Sequence, residues 1–116
     1  MFNRLQPILN VLDIAAETQF YVRLGFSIAH QSEGFVALAA GETVLFGLKA
    51  EEESDPIAFE RQMFLQFGVA SVGEVARHCE REGIAVEKPM ELQAWGEWMM
   101  VLRSPGGYRV AVEGPQ

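Results

Sequence analysis

Few side chains in this sequence are of the types that carry catalysis or bind metals, and they form no recognisable set. The chain has two histidines, His30 and His78, and one cysteine, Cys79. It lacks a Ser-His-Asp arrangement, a dinucleotide fingerprint and a phosphate loop, since neither a helix nor a basic residue follows Gly106-Gly107 in the required order. A lone histidine is usually a surface or packed residue. We therefore assign no catalytic residue and give neither histidine a role as a metal ligand.

Two tryptophans and a methionine are the side chains best suited to hold a flat ligand. Trp95, Trp98 and Met100 lie just before or on one predicted strand. Indole rings and a polarisable thioether can stack on an aromatic or cationic compound. The same side chains could instead fill the core of the protein, and the sequence leaves both alternatives open.

The composition is that of a small globular protein. Of 116 residues, 49% are hydrophobic and 22% are charged, a balance typical of one ordinary domain. The longest apolar runs are too short to cross a bilayer, and the first residues lack the apolar stretch of a signal peptide. A single cysteine cannot form an internal disulfide, which fits a reducing compartment. We therefore expect a cytoplasmic protein.

The chain is acidic, with nine basic and 16 acidic residues and a formal net charge of −7. This charge repels phosphate groups, so we expect no nucleic acid and no membrane as a partner. A cationic ligand would be attracted, although an acidic charge also serves solubility alone. The run Glu51-Glu52-Glu53 could likewise attract a cation, but such runs are typical of a solvated linker.

The two halves of the chain repeat one pattern. Registering Gly25 on Gly83 shifts the chain by 58 positions, half its length. Asp13 then falls on Ser71, and both are favoured residues at the N-cap of a helix. The two glycines can adopt the left-handed conformation that ends a helix. The sequence therefore predicts one helix in each half, with one strand before it and three strands after it.

The predicted fold is α+β, with the order βαβββ–βαβββ. Each mixed sheet buries one face under its helix, and two such sheets facing each other would enclose a cleft for a small molecule. We treat residues 1–116 as a single domain, with module one over about 1–49, a linker over about 50–60 and module two over about 61–116. The segment Pro89–Trp95 is expected to be an insertion. The predicted strands are Gln6–Val11, Ser27–Gln31, Phe35–Ala40, Thr43–Leu48, Gln62–Phe67, Ala85–Lys88, Glu97–Leu102 and Tyr108–Glu113.

The alternation of side chains along these strands selects candidates for the cleft. A few polar groups among apolar walls are the usual composition of a ligand site. Asn10 and Gln66 are of most interest, because buried amides need partners, which could be a ligand, each other, Arg109 or water. The expected ligand-binding residues are Gln6, Asn10, Phe46, Phe64, Gln66, Trp95, Trp98, Met100, Arg109 and Ala111.

Several short motifs stand in an order that is typical of one superfamily. They are Val11-Leu12-Asp13 leading into Phe20–Phe26, then Phe67-Gly68-Val69, Glu82-Gly83-Ile84, Trp95-Gly96 and Ser104–Tyr108. In these motifs the chain resembles the vicinal oxygen chelate superfamily, which includes glyoxalase I, the bleomycin-resistance proteins and the extradiol dioxygenases. The resemblance spans nearly the whole chain and implies the two-module fold.

The resemblance also implies where a metal would bind. Metal-binding members hold a divalent ion with His, Glu or Gln side chains, one each from the first and last strands of both modules. The matching positions here are Gln6, Phe46, Phe64 and Ala111. Only Gln6 offers a donor atom, whereas Zn²⁺ or Mn²⁺ needs several. We therefore expect no metal and no cofactor.

Three functions remain open. We favour a metal-free binding protein, similar to the bleomycin-resistance branch, that sequesters a small aromatic or cationic compound. The alternatives are an enzyme, namely a lyase, isomerase or dioxygenase of the glyoxalase type, and a dimeric module without a ligand. We also expect a homodimer, because exposed sheet edges and apolar surface favour covering by a second copy, and the resemblance implies the same.

Overall fold

A computed structural model describes residues 1–51 and 64–116 of the chain. These residues belong to two units, one within residues 1–54 and the other within residues 55–116. Gln62 and Met63 of the predicted fifth strand lie outside the described residues, as does the predicted linker from residue 52 onward. That residues 1–116 form a single domain stays a prediction.

The first unit has one helix and a four-stranded mixed sheet. In the sheet, β1 is parallel to β4, and the other neighbours are antiparallel, in the order β1-β4-β3-β2. A register shift between Leu38 and Ala39 interrupts the pairing of β3 with β4. The elements are β1 (Ile8–Val11), α1 (Ile14–Leu24), β2 (Ser27–Ser32), β3 (Phe35–Ala40) and β4 (Thr43–Ala50).

The second unit repeats this topology with the strand order β5-β8-β7-β6. Part of the segment expected to be an insertion is strand, because β6 continues through Pro89 to Leu92. A proline in this place is tolerated because β6 is an edge strand with shifts of register on both sides of Lys88. The elements are β5 (Phe64–Gly68), α2 (Val72–Glu82), β6 (Val86–Leu92), β7 (Trp98–Arg103) and β8 (Arg109–Gly114).

The two helices begin and end as the repeat predicts. The Asp13 side chain accepts a hydrogen bond from the Ala16 N–H at 3.0 Å, and the Ser71 hydroxyl accepts one from the Glu74 N–H at 3.1 Å. These caps satisfy N–H groups that the first turn of a helix leaves unpaired. Gly83 ends α2 with a φ of 68°, in the left-handed region. No helix in the described ranges is long and apolar enough to cross a membrane.

An aromatic cluster joins α1 to the first sheet. The ring centroid of Tyr21 lies 4.9 Å from that of Phe46 in an edge-to-face arrangement, and Phe26 packs against both rings. Phe46 is only 2% exposed. It therefore faces the helix, and its expected place on the open side of the sheet was wrong by one residue. Gly47, in register with Ile8, and Val44, in register with Ala39, lie on the open side instead, and the register shift at Leu45 separates Val44 from Phe46.

Met100, which was expected to bind a ligand, lies in the core of the second unit. Met100 is 1% exposed and pairs in register with Val112, which is also buried. This buried, apolar row of side chains faces α2, which packs against β6, β7 and β8. Trp98 lies on the same row of β7, because it is two residues from Met100. Met99, not Met100, belongs to the opposite face of the sheet.

The end of β8 approaches the loop before α2 closely. The carbonyl groups of Pro115 and Gln116 accept hydrogen bonds from the first N–H groups of α2, at 2.9 and 2.8 Å. This pairing brings the backbone of Gly114 against that of Val69. A Cβ atom added to Gly114 would lie 2.2 Å from the Val69 carbonyl oxygen, whereas one added to Gly68 would have nothing within 4 Å.

These two glycines give a matched test of the close approach. Gly114→Ala should lower the free energy of unfolding by about 1–3 kcal/mol, because a backbone oxygen must shift to make room. Gly68→Ala should leave it unchanged or raise it by up to about 1 kcal/mol, because glycine weakens a strand. Urea unfolding measures both values, and equal midpoints for the two variants would contradict the packing described.

Candidate functional site

The second sheet has one face that carries charged and polar side chains. Register partners on neighbouring strands share a face, so Phe64 lies beside Arg109, Gln66 beside Ala111 and Gly68 beside Glu113. We call this surface the open face of the second sheet. Its residues are Phe64, Gln66, Gly68, Met99, Val101, Arg103, Arg109, Ala111 and Glu113.

The carboxylate of Glu113 organises one end of the open face. One of its oxygens accepts a hydrogen bond from the Gln66 side-chain amide, and the other accepts one from the Trp95 indole N–H at 2.5 Å. Both donors are neutral, so they hold the carboxylate in place without cancelling its charge. Glu113 is therefore a fixed negative charge with an indole ring beside it.

Trp95 reaches Glu113 from the turn between β6 and β7. The Gln93 N–H donates to the Glu97 carbonyl at 2.8 Å, and the Gly96 N–H donates back to the Gln93 carbonyl at 3.0 Å. Gly96 has a φ of 93°, a conformation that favours glycine. The turn is thus shaped locally, and it leaves the Trp95 side chain 62% exposed while its N–H is bound. An exposed indole with a fixed orientation is suited to stack on a ligand.

A pocket of about 680 Å³ lies next to Glu113. Two acidic residues, Glu97 and Glu113, are among those that line it. The glycines in its lining have no side chains to fill it, which keeps the space beside Glu113 open. The pocket can therefore receive a positively charged group. Its lining residues are Gln66, Gly68, Val69, Ala70, Glu97, Glu113, Gly114 and Pro115.

The opposite end of the open face is basic. Arg103 donates two hydrogen bonds to one carboxylate oxygen of Glu87, at 2.7 and 3.1 Å, and a third to the Gly107 carbonyl. The hydrogen bonds from Arg103 hold the pKa of the Glu87 carboxyl below its usual value, and the nearby charges of Arg109 and Lys88 act in the same direction. Arg103 and Arg109 stand directly opposite each other on β7 and β8.

The expected ligand-binding residues fall into three groups. The open face of the second sheet brings together Phe64, Gln66, Arg109 and Ala111, with Trp95 at its end through Glu113. Trp98 and Met100 lie on the other row of β7. The remaining three belong to the first unit, where Gln6 precedes β1, Asn10 is exposed on β1 and Phe46 is in the core.

Sequence reasoning missed Glu113, Glu97 and Gly68. Glu113 could have been found, because the alternation that selected Arg109 and Ala111 on the last strand reaches Glu113 two residues later. Gly68 is its partner in register. Glu97 begins the predicted strand Glu97–Leu102, and alternation puts it in the row of Met99, but in the structure it precedes β7 and belongs to the turn.

The first sheet has an open face of a different character. Ile8 and Phe35 converge over Gly47, since a Cβ atom at Gly47 would lie 2.8 Å from a side-chain carbon of each. The His30 ring lies 6.4 Å from that of Phe35. Toward the end of β1 this face is polar, because Asn10 and Lys49 are partners in register and the Lys49 ammonium lies 3.6 Å from a carboxylate oxygen of Glu51. That carboxylate is ion-paired, whereas Glu113 is held by neutral donors beside a pocket, so we place the candidate site on the second sheet.

The residues at the positions that match the superfamily's metal ligands cannot coordinate a metal. The side chains of Phe64 and Ala111 carry no donor atom, and Val44 and Gly47, which lie on the open side of β4 before and after Phe46, carry none either. In the part of the chain that the structure describes, no three His, Cys, Asp or Glu side chains gather at one point. A transition metal needs several such donors.

The family follows from comparison with known proteins. The family model for the Glyoxalase/Bleomycin resistance protein/Dioxygenase superfamily matches residues 2–112. The chain belongs to this superfamily. The resemblance seen in the short motifs and the predicted α+β fold are thereby confirmed.

Individual relatives include proteins that bind bleomycin. A bleomycin resistance protein of Klebsiella pneumoniae is 30% identical over 115 residues, which cover 92% of this chain and 88% of the relative. The structure of a bleomycin-binding protein in complex with bleomycin matches with a TM-score of 0.79 and 25% identity, over 99% of this chain and all of the other. A lactoylglutathione lyase from Agrobacterium tumefaciens shares the fold with a TM-score of 0.73 and 21% identity, over 96% and 92% of the two chains.

Proposed function

We propose that this protein binds and sequesters a small cationic or aromatic compound without the help of a metal, as a bleomycin-resistance protein would. The observation that carries the proposal is the pocket beside Glu113. There, a carboxylate fixed by two neutral donors lies next to an exposed indole, and Glu97 is a second acidic residue in the lining of the pocket. The similarity to bleomycin-binding relatives supports the same ligand class.

The physical chemistry of the pocket favours a positively charged group. A charge-assisted hydrogen bond to a carboxylate contributes about 1.5–3 kcal/mol, and contact of a cation with an indole face adds about 0.5–2 kcal/mol. The net charge of −7 raises the local concentration of cations around the protein. A ligand that extends from the pocket along the open face to Phe64, which is 49% exposed, would gain roughly 25 cal/mol per Å² of buried apolar surface there.

Sequestration needs only affinity, whereas the chemistry of metal-dependent members needs ligands that this chain lacks at Phe64 and Ala111. The proposal therefore assigns binding roles and no catalytic residue. Glu113 holds the cationic group, Trp95 stacks on the ligand, and Gln66 keeps the carboxylate in position. Gln6, Asn10, Trp98 and Met100 have no assigned contact in this pocket.

Bleomycin is the first ligand to test, by titration with tryptophan fluorescence as the readout. Glu113→Gln should weaken its binding about tenfold, because the variant keeps the shape of the side chain but loses its charge. Gly68→Val should weaken it as strongly by filling the pocket, since nothing in the protein obstructs the new side chain. Glu80→Gln on α2 removes the same charge at an exposed position and should have little effect. Undiminished affinity in both pocket variants would place the site elsewhere.

We also predict that the purified protein holds no tightly bound divalent metal. Of the four residues that match the superfamily's metal ligands, only Gln6 has a donor atom in its side chain. One amide oxygen binds such ions weakly. Elemental analysis after extensive dialysis measures the metal content directly. Near-stoichiometric Zn, Mn, Ni or Fe would overturn the prediction and favour a lyase, isomerase or dioxygenase of the glyoxalase type.

A homodimer is the expected state in solution. The edge strand β2 is exposed along its whole length, and large apolar side chains such as Ile8 and Phe64 are 42% and 49% exposed. Exposed strand edges and apolar patches favour association with a second copy. Sedimentation at micromolar concentration should give twice the chain mass of 12.9 kDa, and a monomer alone would contradict the prediction.

A further inference from the structure

Arg109 is an unusual residue in so acidic a protein. It is exposed on the open face of the second sheet, and no other described residue forms an ion pair with it. Its partners in register are Phe64 on β5 and Arg103 on β7. Phe64 cannot accept its hydrogen bonds, and Arg103 carries the same charge. The guanidinium of Arg109 therefore keeps its donors for a group that is not among these neighbours.

The placement of Arg109 has an electrostatic cost for the sheet. Two arginines directly opposite on neighbouring antiparallel strands repel each other, because their Cβ atoms are only about 4.5–5.5 Å apart. Glu87 offsets part of this repulsion, but its bound oxygen accepts both hydrogen bonds from Arg103. Lys88 adds a further positive charge close to Glu87. Among the described residues, Arg103, Arg109 and Lys88 thus all act on this one carboxylate.

The positive and negative ends of the open face lie on one strand. Arg109 and Glu113 are four residues apart on β8 and point to the same side, so about 13 Å separates their positions along the strand. Ala111 lies between them but is fully buried, so the exposed side chain at this level of the sheet is its partner in register, Gln66, with Phe64 beside Arg109. On β5 and β8, the side chains between the two charges are therefore neutral.

We infer that the ligand of this site is an extended zwitterion, with its cationic group beside Glu113 and an anionic group, such as a carboxylate, on Arg109. The inference rests on the proposed function and narrows its ligand class. A guanidinium can donate two parallel hydrogen bonds to a carboxylate, which gives an anion of this shape preference over a simple ion. The two charges of the ligand should stand about 13 Å apart, with an uncharged segment between them.

A tetrapeptide with free ends has the required dimensions, since four extended residues span about 13 Å. The probe is glycyl-phenylalanyl-phenylalanyl-glycine, whose lack of tryptophan leaves the fluorescence of the protein as the readout. The same peptide with a C-terminal amide keeps only the positive charge of its N-terminal amine. The N-acetylated peptide keeps only the negative charge of its C-terminal carboxylate. The free peptide should bind about tenfold more tightly than either capped form, because each charge-assisted hydrogen bond is worth about that factor.

Substitutions at the two ends should act on different charges of the probe. Arg109→Gln should weaken the free peptide about tenfold and leave the amide unchanged, while Glu113→Gln should weaken the free peptide and leave the N-acetyl form unchanged. Arg109→Lys should restore part of the affinity. Arg81→Gln, which removes an exposed arginine from α2, is the matched control and should change nothing. The melting temperature of Arg109→Gln should stay within about 2 °C of the parent, because Arg109 is exposed.

The outcomes separate this inference from the proposed function. If the amide binds as tightly as the free peptide and Arg109→Gln has no effect, Arg109 does not bind an anionic group of the ligand and the inference is overturned. A loss of bleomycin binding in Glu113→Gln would still support the proposed function. If bleomycin binds and none of the three peptides does, the extended zwitterion is overturned and sequestration stands. If neither bleomycin nor any peptide binds, both are overturned.

Discussion

The central strands of both sheets each give one row of side chains to a helix, and this constraint determines where a polar site can be. In the first unit the row that includes Phe46 packs against Tyr21 of α1, and in the second the row that includes Met100 and Val112 is buried in the same way. Charged groups cannot lie in these rows without losing their hydration. The chemistry of the second sheet is therefore confined to the opposite row, where Arg109 and Glu113 stand at its two ends.

The hydrogen bonds to Glu113 explain how a carboxylate can be both fixed and available. A side chain held by Gln66 and Trp95 loses little further conformational freedom when a ligand binds, so less of the binding energy is spent on ordering it. Because both donors are neutral, an incoming cation meets the full negative charge. An ion-paired carboxylate such as that of Glu87 behaves differently, since a ligand would have to displace Arg103 first.

Local signals in the sequence predicted the fold well, and contacts distant in sequence limited the prediction of the site. Asp13 and Ser71 cap helices that begin 58 positions apart, as the repeat predicts. Phe46 was assigned to the wrong face because a shift of one residue inverts every side chain of a strand. The contacts of Glu113 with Gln66 and Trp95 span 47 and 18 residues, and they depend on strand order and on the shape of one turn. No periodicity in the sequence encodes such contacts.

The same two residues account for the missing metal ligands and for the shape of the candidate site. Phe64 and Ala111 occupy positions where the resemblance places metal ligands, and in the structure both lie on the open face of the second sheet. A ligating carboxylate or imidazole there would put a charge or a polar ring between Arg109 and Glu113. The side chains present are neutral, so Arg109 and Glu113 remain the charged groups of β8 on this face. The lack of metal-ligating side chains at these positions and the proposed binding of a long ligand with charged ends thus depend on the same two residues, which is why we propose this surface as a binding site.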